Sequence, residues 1–144
     1  MKFFRYIFFI LLCIPLFANE WVYDFEEAKK IALEDDKLIV LVFQGSDWCS
    51  PCIKLDREIW NNNEFKKIAS ENFVMLLADF PRKKSNALSQ IQKEKNYLLA
   101  EKYNPNGFFP FVVIFNSYGE VIGQTGYEKI SPQEYANKIL KFKI

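Results

Sequence analysis

The chain has 144 residues, 50% of them hydrophobic and 26% charged, which is typical of one compact domain rather than a disordered or fibrous segment. Its formal net charge of +1 provides no strong field to attract nucleic acid or an anionic membrane. Because the sequence contains no histidine, Cys-His catalysis, Ser-His catalysis and every metal site that uses imidazole are excluded.

The first residues of the chain have the pattern of an export signal. Lys2 and Arg5 form a basic start, residues 6–17 are nearly all apolar, and Ala18 ends the run with a small side chain. The pattern predicts a signal peptide at residues 1–18, cleavage after Ala18, and a periplasmic or secreted domain of residues 19–144. A helix that spans a membrane needs about 20 apolar residues, so the short run favours cleavage over a retained membrane anchor.

The chain has three cysteines, and their positions predict different roles for them. Cys13 lies within the predicted leader and is expected to leave with it, because residues 10–12 lack the small side chain usually found beside a lipid-bearing cysteine. Cys49 and Cys52 remain in an oxidising compartment with two residues between them. A loop that short adds little stability, so the pair is predicted to be redox-active rather than structural.

The first two elements after the leader are predicted to be a helix and a buried strand. Asp24 can cap a helix that extends to about residue 35. Its apolar positions are expected to face the core: Phe25, Ala28, Ala32 and Leu33. The continuous apolar run over residues 38–43 predicts a strand that is buried on both faces, which requires helices on both sides of the sheet.

The next segment is predicted to turn, form helices and return as a second strand. Residues 45–47 break the first strand, and residues 51–60 suit a helix because Pro51 falls in its first turn. A short helix to about Ala69 follows, and residues 73–78 form an apolar run of strand length.

The second half of the chain begins with a basic loop at residues 81–84, which we interpret as solvated rather than as a binding patch. A longer helix is predicted over residues 87–103, with apolar positions at Leu88, Ile91, Leu98 and Leu99. Residues 111–115 and 120–124 flank a turn-rich spacer, so these two strands are predicted to form an antiparallel hairpin.

A capping box with Pro132 at the first helical position, formed by Ser131 and Glu134, predicts a terminal helix. Its apolar residues are Tyr135, Ile139, Leu140 and Phe142. The full order α-β-α-β-α-β-β-α predicts an α/β domain with a central mixed sheet flanked by helices. No internal repeat or flexible linker divides it.

The motif Trp48-Cys49-Ser50-Pro51-Cys52 carries the predicted chemistry. Cysteines three positions apart in a first helical turn lie on one side of the helix, within reach of a disulfide. Cys49 is the predicted nucleophile, because unpaired N–H groups and the positive end of the helix dipole favour its thiolate. Cys52, one turn deeper, is the predicted resolving thiol that attacks the mixed disulfide.

Three other interpretations of this pair fit the sequence less well. A zinc site needs about four ligands, more than two cysteines without histidine provide, so no metal is expected. Two thiolates can carry copper(I), although such a carrier needs no buried strand leading into the site. An inert core pair fits poorly, because Ser50 and Pro51 between the cysteines are polar and turn-like.

Residues 43–52, Phe-Gln-Gly-Ser-Asp-Trp-Cys-Ser-Pro-Cys, resemble the thioredoxin superfamily, and within it the exported thioredoxin-like proteins with an FxGSDWCxxC segment. The resemblance covers nearly the whole mature chain, and the further matching positions are Trp21, Ala28, residues 53–55, residues 78–82, Gly119, Gly123 and Gly126. It implies a thioredoxin-like fold in which the active-site helix faces solvent at the edge of a central mixed sheet.

The resemblance also implies a substrate-binding surface made of Trp48, Phe109 and Pro110. In the family, a cis-proline before an edge-region strand packs against the cysteines, and the backbone of the preceding residue pairs with the substrate chain. Pro110 matches this position because it immediately precedes the strand that starts at residue 111. An ordinary trans proline is the alternative, and Pro105 lies too far from the strand to compete.

Two positions depart from the family pattern. Many thioredoxins carry a buried aspartate where this chain has Phe43, so that base is absent. Asp47 is a candidate proton relay through water, against the simpler role of capping the following helix. Residues 107–110 place two phenylalanines between glycine and proline, which predicts an unusually aromatic substrate groove.

These features predict an extracytoplasmic oxidoreductase that acts on protein disulfides in the reducing or interchange direction. The chain has no flavin or nicotinamide motif and no cofactor is expected, so the predicted electron source is a membrane-embedded thiol donor. A monomer with no nucleic-acid partner is expected. The alternative is a non-catalytic binding module or chaperone, in which Phe108, Phe109 and Phe111 hold unfolded or apocytochrome clients.

Overall fold

The computed structural model describes residues 20–143, so the predicted leader, its cleavage site and Cys13 lie outside the described residues. Within these residues, four strands form one sheet in the order β2-β1-β3-β4, namely β1 (Leu38–Gln44), β2 (Phe73–Asp79), β3 (Phe111–Phe115) and β4 (Val121–Thr125). β1 pairs parallel with β2 and antiparallel with β3, and β3 pairs antiparallel with β4. The predicted mixed sheet and its hairpin are confirmed.

In the described part of the chain, five α-helices cover this sheet: α1 (Phe25–Asp35), α2 (Ser50–Leu55), α3 (Asn63–Asn72), α4 (Gln90–Tyr103) and α5 (Pro132–Leu140). A π-helical turn at Asp56–Trp60 continues α2, and a 3₁₀ turn at Lys84–Asn86 precedes α4. The short helix predicted before the second strand is α3. The predicted order α-β-α-β-α-β-β-α counts α2 and α3 as one helical segment between β1 and β2. No helix among residues 20–143 is long and apolar enough to cross a bilayer.

The helix starts follow the predicted capping chemistry. The Asp24 carboxylate accepts a hydrogen bond from the Glu27 N–H at 3.0 Å. At α5, Ser131 Oγ accepts from the Glu134 N–H at 3.2 Å, and the Glu134 carboxylate accepts from the Ser131 N–H at 2.9 Å. These bonds satisfy backbone donors that a helix start otherwise leaves free.

β1 divides the core into two layers because successive side chains point to opposite faces of the sheet. Leu38, Val40 and Val42 pack into the layer that contains α3 and α5. Ile39, Leu41 and Phe43 pack into the layer formed with α1 and α4, and no side chain from Leu38 to Phe43 is more than 2% exposed. The prediction of a strand buried on both faces is confirmed.

Three of the side chains predicted to face the core are exposed instead. Leu33 on α1 is 58% exposed, and Ile91 and Leu98 on α4 are 69% and 66% exposed. The inner face of α4 includes Asn96, which is 1% exposed and donates through Nδ2 to the backbone carbonyl of Asp79 at 2.8 Å. Leu99, Ala28 and Ala32 are buried as predicted, so the hydrophobic pattern identified only part of each inner face and missed the polar Asn96.

A matched pair of leucine substitutions tests this core assignment. Leu41→Ala is expected to lower the free energy of unfolding by about 2–5 kcal/mol, because Leu41 is fully buried and truncation leaves a cavity. Leu33→Ala removes the same atoms from an exposed site and is expected to change the free energy by less than about 0.5 kcal/mol. Urea unfolding measures both, and equal losses would contradict the assignment.

Candidate active site

The cysteine motif lies where the central strand ends and a helix begins. β1 ends at Gln44, and the Cys49 N–H donates to the carbonyl of Gly45 at 3.0 Å, which closes the turn. α2 starts at Ser50 with Cys49 as its N-cap and Pro51 in the first turn. The two-sided burial of β1 therefore determines where Cys49 is held.

Cys49 and Cys52 are joined by a disulfide bond, with their Cα atoms 5.2 Å apart. Cys49 Sγ also accepts a hydrogen bond from the Cys52 N–H at 3.3 Å, so the sulfur fills the capping role at the start of α2. Cys49 is 5% exposed and Cys52 is 1% exposed. The structure thus brings the two predicted redox residues together and leaves the first more accessible than the second.

Trp48 forms one wall beside the disulfide. Its Nε1–H donates to the Phe80 carbonyl at 2.7 Å, and the centroid of its ring system lies 5.5 Å from the Phe109 ring. A Cβ atom at Gly45 would overlap the Trp48 indole, so glycine is required at that position. The two aromatic residues predicted at the substrate surface, Trp48 and Phe109, are therefore in contact.

Pro110 reaches the same edge of the sheet through strand pairing. Phe43 of β1 lies opposite Phe111 of β3, and because the two strands are antiparallel, the chain before Phe111 runs beside the chain after Phe43. The Phe109–Pro110 peptide bond is cis. Phe43 is fully buried with its ring 6.4 Å from the Phe111 ring, so the residue that replaces the usual aspartate belongs to the core.

Comparison with known proteins places this geometry in a family. A family model described as thioredoxin-like matches residues 20–117. The disulfide bond reductase DsbH of Chlamydia pneumoniae is 35% identical over 122 residues, which cover 85% of this chain and 72% of DsbH. The chain belongs to the thioredoxin-like family. The thioredoxin-like fold predicted from the resemblance is confirmed.

Solved structures agree with this assignment. A structure described as DsbH oxidoreductase superimposes on this thioredoxin-like protein with a TM-score of 0.77 and 32% identity, covering 85% of this chain and 83% of that one. A putative disulphide-isomerase from Bacteroides thetaiotaomicron follows with a TM-score of 0.62 and 25% identity, covering 88% and 92%. With its Cys49–Cys52 pair, this thioredoxin-like protein is a protein thiol-disulfide oxidoreductase.

A second curated relative is much longer than the part that aligns. The thioredoxin-related protein DsbJ of Chlamydia pneumoniae is 26% identical over 110 residues, which cover 75% of this chain but 31% of DsbJ.

Asp47 organises the loop opposite the motif. Its carboxylate accepts from the N–H groups of Arg82 at 2.9 Å and Lys83 at 3.0 Å, and from Asn86 Nδ2 at 3.0 Å. The hydrogen bond from the Arg82 backbone is the main cause that lowers the pKa of Asp47. The expectation that Asp47 caps the helix was wrong, because Cys49 Sγ fills that role. A proton relay through Asp47 stays a prediction.

Asp79 is a site residue that the sequence analysis did not assign. Its Oδ1 accepts from the Ser46 N–H at 2.9 Å, and its Oδ2 accepts from Ser46 Oγ at 2.6 Å. Asp47 and Asp79 therefore tie the cysteine loop and the loop after β2 together in both directions. The sequence offered two signals, the position of Asp79 at the end of a strand and its place in the matching segment 78–82, but its partner Ser46 lies 33 residues away in sequence.

The charged side chains around the disulfide form no metal site. Within the part of the chain that the structure describes, no group of three or more His, Cys, Asp or Glu side chains could hold a metal ion. Arg82 instead stacks its guanidinium carbon 3.8 Å from the centroid of the Trp48 ring system. This contact places a positive charge on the aromatic wall next to Cys49.

The variant Asp47→Asn tests whether the Asp47 carboxylate holds the two loops together, because that stabilisation should depend on pH. Because the folded protein lowers the pKa of Asp47 below the unfolded value of about 3.9, its stabilising effect is complete above that pH and is lost as the pH falls through the folded pKa. The variant is expected to unfold at lower urea concentration than wild type at pH 7, and the difference is expected to shrink toward pH 3.

The control is Asp35→Asn, which changes a surface carboxylate 3.7 Å from Lys37 at the end of α1. It is expected to have a smaller effect than Asp47→Asn at pH 7, because exposed ion pairs contribute little. A constant difference between Asp47→Asn and wild type across the pH range would show that charge at Asp47 does not hold the loop.

Proposed function

We propose that this protein reduces or interchanges disulfides of exported proteins, with Cys49 as the attacking thiol and Cys52 as the resolving thiol. The Cys49 thiolate attacks one sulfur of a client disulfide, and the client's S–S bond breaks as a mixed disulfide forms. The Cys52 thiolate then attacks Cys49 Sγ and releases the client as a dithiol. Two electrons pass to the client, and the protein is left with the Cys49–Cys52 bond.

The capping position of Cys49 is the observation that carries this assignment. The Cys52 N–H lies 3.3 Å from Cys49 Sγ at the start of α2, where backbone donors and the helix dipole favour a negative sulfur. In the second step Cys52 attacks Cys49 Sγ, the bond between Cys49 and the client breaks, and the client sulfur leaves as a thiolate. Cys52, at 1% exposed, is better placed for attack from within than for meeting a client first.

Trp48, Phe109 and Pro110 support a binding surface for the client chain. They meet at the sheet edge where the cysteine loop starts, and the Trp48 and Phe109 rings are in contact. We assign the backbone of Phe109 to pair with an extended client segment beside Cys49, in the manner of an added strand. Asp47 keeps its candidate role as a relay, although its oxygens already accept three hydrogen bonds.

The reducing direction is supported by the 35% identity to DsbH, which is described as a disulfide bond reductase. Continued reduction needs a supply of electrons, so we propose a membrane-embedded thiol protein as donor and a monomeric enzyme in the periplasm. Reduction potential measures the direction, since a shift of about 30 mV corresponds to about 1.4 kcal/mol. A value near the strong oxidants, about −120 mV, would contradict reduction.

A binding module is the second candidate, favoured by the exposed ring of Phe108. That side chain is 56% exposed and lies 5.9 Å from the Phe111 ring, so an aromatic surface is available to unfolded or apocytochrome clients. In this case the cysteines would only regulate binding. The double variant Cys49→Ser with Cys52→Ser separates the candidates, because a binding module would keep its full effect in cells.

Insulin reduction tests the roles of the two cysteines. The domain of residues 19–144 is expected to accelerate insulin reduction by dithiothreitol, and Cys49→Ser is expected to bring the rate down to the uncatalysed one, because the attacking sulfur is gone. Cys52→Ser is expected to accumulate mixed disulfides with clients, visible by mass spectrometry. Leu33→Ala serves as a control at an exposed position, and full turnover by Cys49→Ser would overturn the proposal.

The leader is tested by expressing the whole chain in a bacterial host. The exported protein is expected to begin at Asn19, so its intact mass should match residues 19–144. Ala18→Leu is expected to block cleavage, because the processing enzyme requires a small residue at that position. Wild-type protein found in the membrane fraction with residues 1–18 attached would instead support an anchor.

A further inference from the structure

An aromatic cleft of about 420 Å³ opens at Trp48, next to Cys49 in the chain, and extends the client-binding surface proposed above. Trp48, Phe80, Tyr97 and Phe109 form its walls. The Phe80 ring centroid lies 5.5 Å from both the Tyr97 ring and the Phe109 ring, so the wall is continuous. Because Trp48 directly precedes Cys49 and its ring contacts Phe109, a chain held at Cys49 would place a neighbouring side chain at this cleft.

The rim of the cleft is positively charged. Arg82 and Lys93 line it, and within residues 20–143 neither side chain has an ion pair or a hydrogen bond. The guanidinium of Arg82 lies 3.8 Å above the Trp48 ring system. Stacking of this kind holds the guanidinium plane in place and leaves its N–H edge open to a ligand.

The carboxylates of Asp79 and Asp47, near this rim, already accept hydrogen bonds from other groups. Asp79 also lines the cleft, and its oxygens accept from Ser46 and from the Phe80 N–H. Asp47 is bound to the backbone of the loop that carries Arg82. The acidic groups therefore orient the loop, whereas Arg82 and Lys93 have no acidic partner among residues 20–143.

We propose that this cleft selects client segments in which a large apolar side chain stands next to a carboxylate near the disulfide. The proposal rests on the proposed function, because the cleft acts on a chain held at Cys49. The apolar side chain enters between the aromatic walls, where burial of its surface stabilises the complex. The adjacent Asp or Glu meets Arg82, whose planar donors match the two oxygens of a carboxylate.

Two synthetic disulfide peptides test this selection. They are identical except that Phe-Glu or Phe-Lys follows one cysteine, and the second-order rate constant for reduction by the prereduced domain is measured by stopped flow. Wild type is expected to reduce the Phe-Glu peptide about five- to tenfold faster, which is the scale of one or two partly exposed charge pairs. Raising the salt concentration from about 20 mM to about 500 mM is expected to shrink this ratio.

Variants of Arg82 locate the preference. Arg82→Gln is expected to bring the ratio of the two rate constants close to one, and Arg82→Glu to invert it in favour of the Phe-Lys peptide. Lys93→Gln is expected to lower the ratio less than Arg82→Gln, because no stacking holds the lysine. Lys141→Gln removes the same charge from an exposed site after α5 and is expected to keep the wild-type ratio.

The outcomes separate this proposal from the proposed function. If wild type reduces both peptides at equal rates, the cleft proposal is wrong and the oxidoreductase assignment stands. If Lys141→Gln lowers the ratio as much as Arg82→Gln, the preference reflects net charge, which also overturns the cleft proposal. If neither peptide is reduced, both proposals fail together.

Discussion

The junction between β1 and α2 is the constraint on which the site depends. β1 has no freedom to shift, because it pairs with a strand on each side and is buried on both faces. The chain leaving it turns at Gly45 and places Cys49 at the start of a helix. The position that makes Cys49 chemically distinct is therefore set by the packing of the central sheet rather than by the cysteine loop alone.

Three chain segments meet at this junction, and each is attached to a strand of the same sheet. The cysteine loop follows β1, the loop with Asp79 and Arg82 follows β2, and residues 108–110 precede β3. Parallel pairing of β1 with β2 and antiparallel pairing of β1 with β3 bring all three to one edge. The hydrogen bonds of Asp47, Asp79 and Trp48 then lock the first two loops together.

Charge and apolar surface are divided in a way that suits a reaction between sulfurs. The strand that leads into the cysteine loop is apolar from Leu38 to Phe43. It therefore carries no carboxylate that would repel a thiolate. The charged groups stand at the rim, where Asp47 and Asp79 hold backbone and Arg82 remains available. In the proposed mechanism, the cysteine pair attacks the client disulfide, and the charged rim with Arg82 selects the client.

Much of this could be read from the sequence, because the signals were local. The CxxC spacing, the apolar run of β1 and the caps at Asp24 and Ser131 depend on residues within one helical turn or one strand. The exposure of Leu33 and the burial of Asn96 could not be read, because they depend on which helix face meets the sheet.

By itself, the sequence determined the redox pair, the order of elements and the strand-to-helix position of Cys49. Only the tertiary structure decided the partners of Asp47, Asp79 and Trp48, which lie 32 to 39 residues away along the chain. It alone decided the stacking of Arg82 on Trp48. The physical reason is that side chains distant in sequence meet only after the sheet has set the distance between their loops.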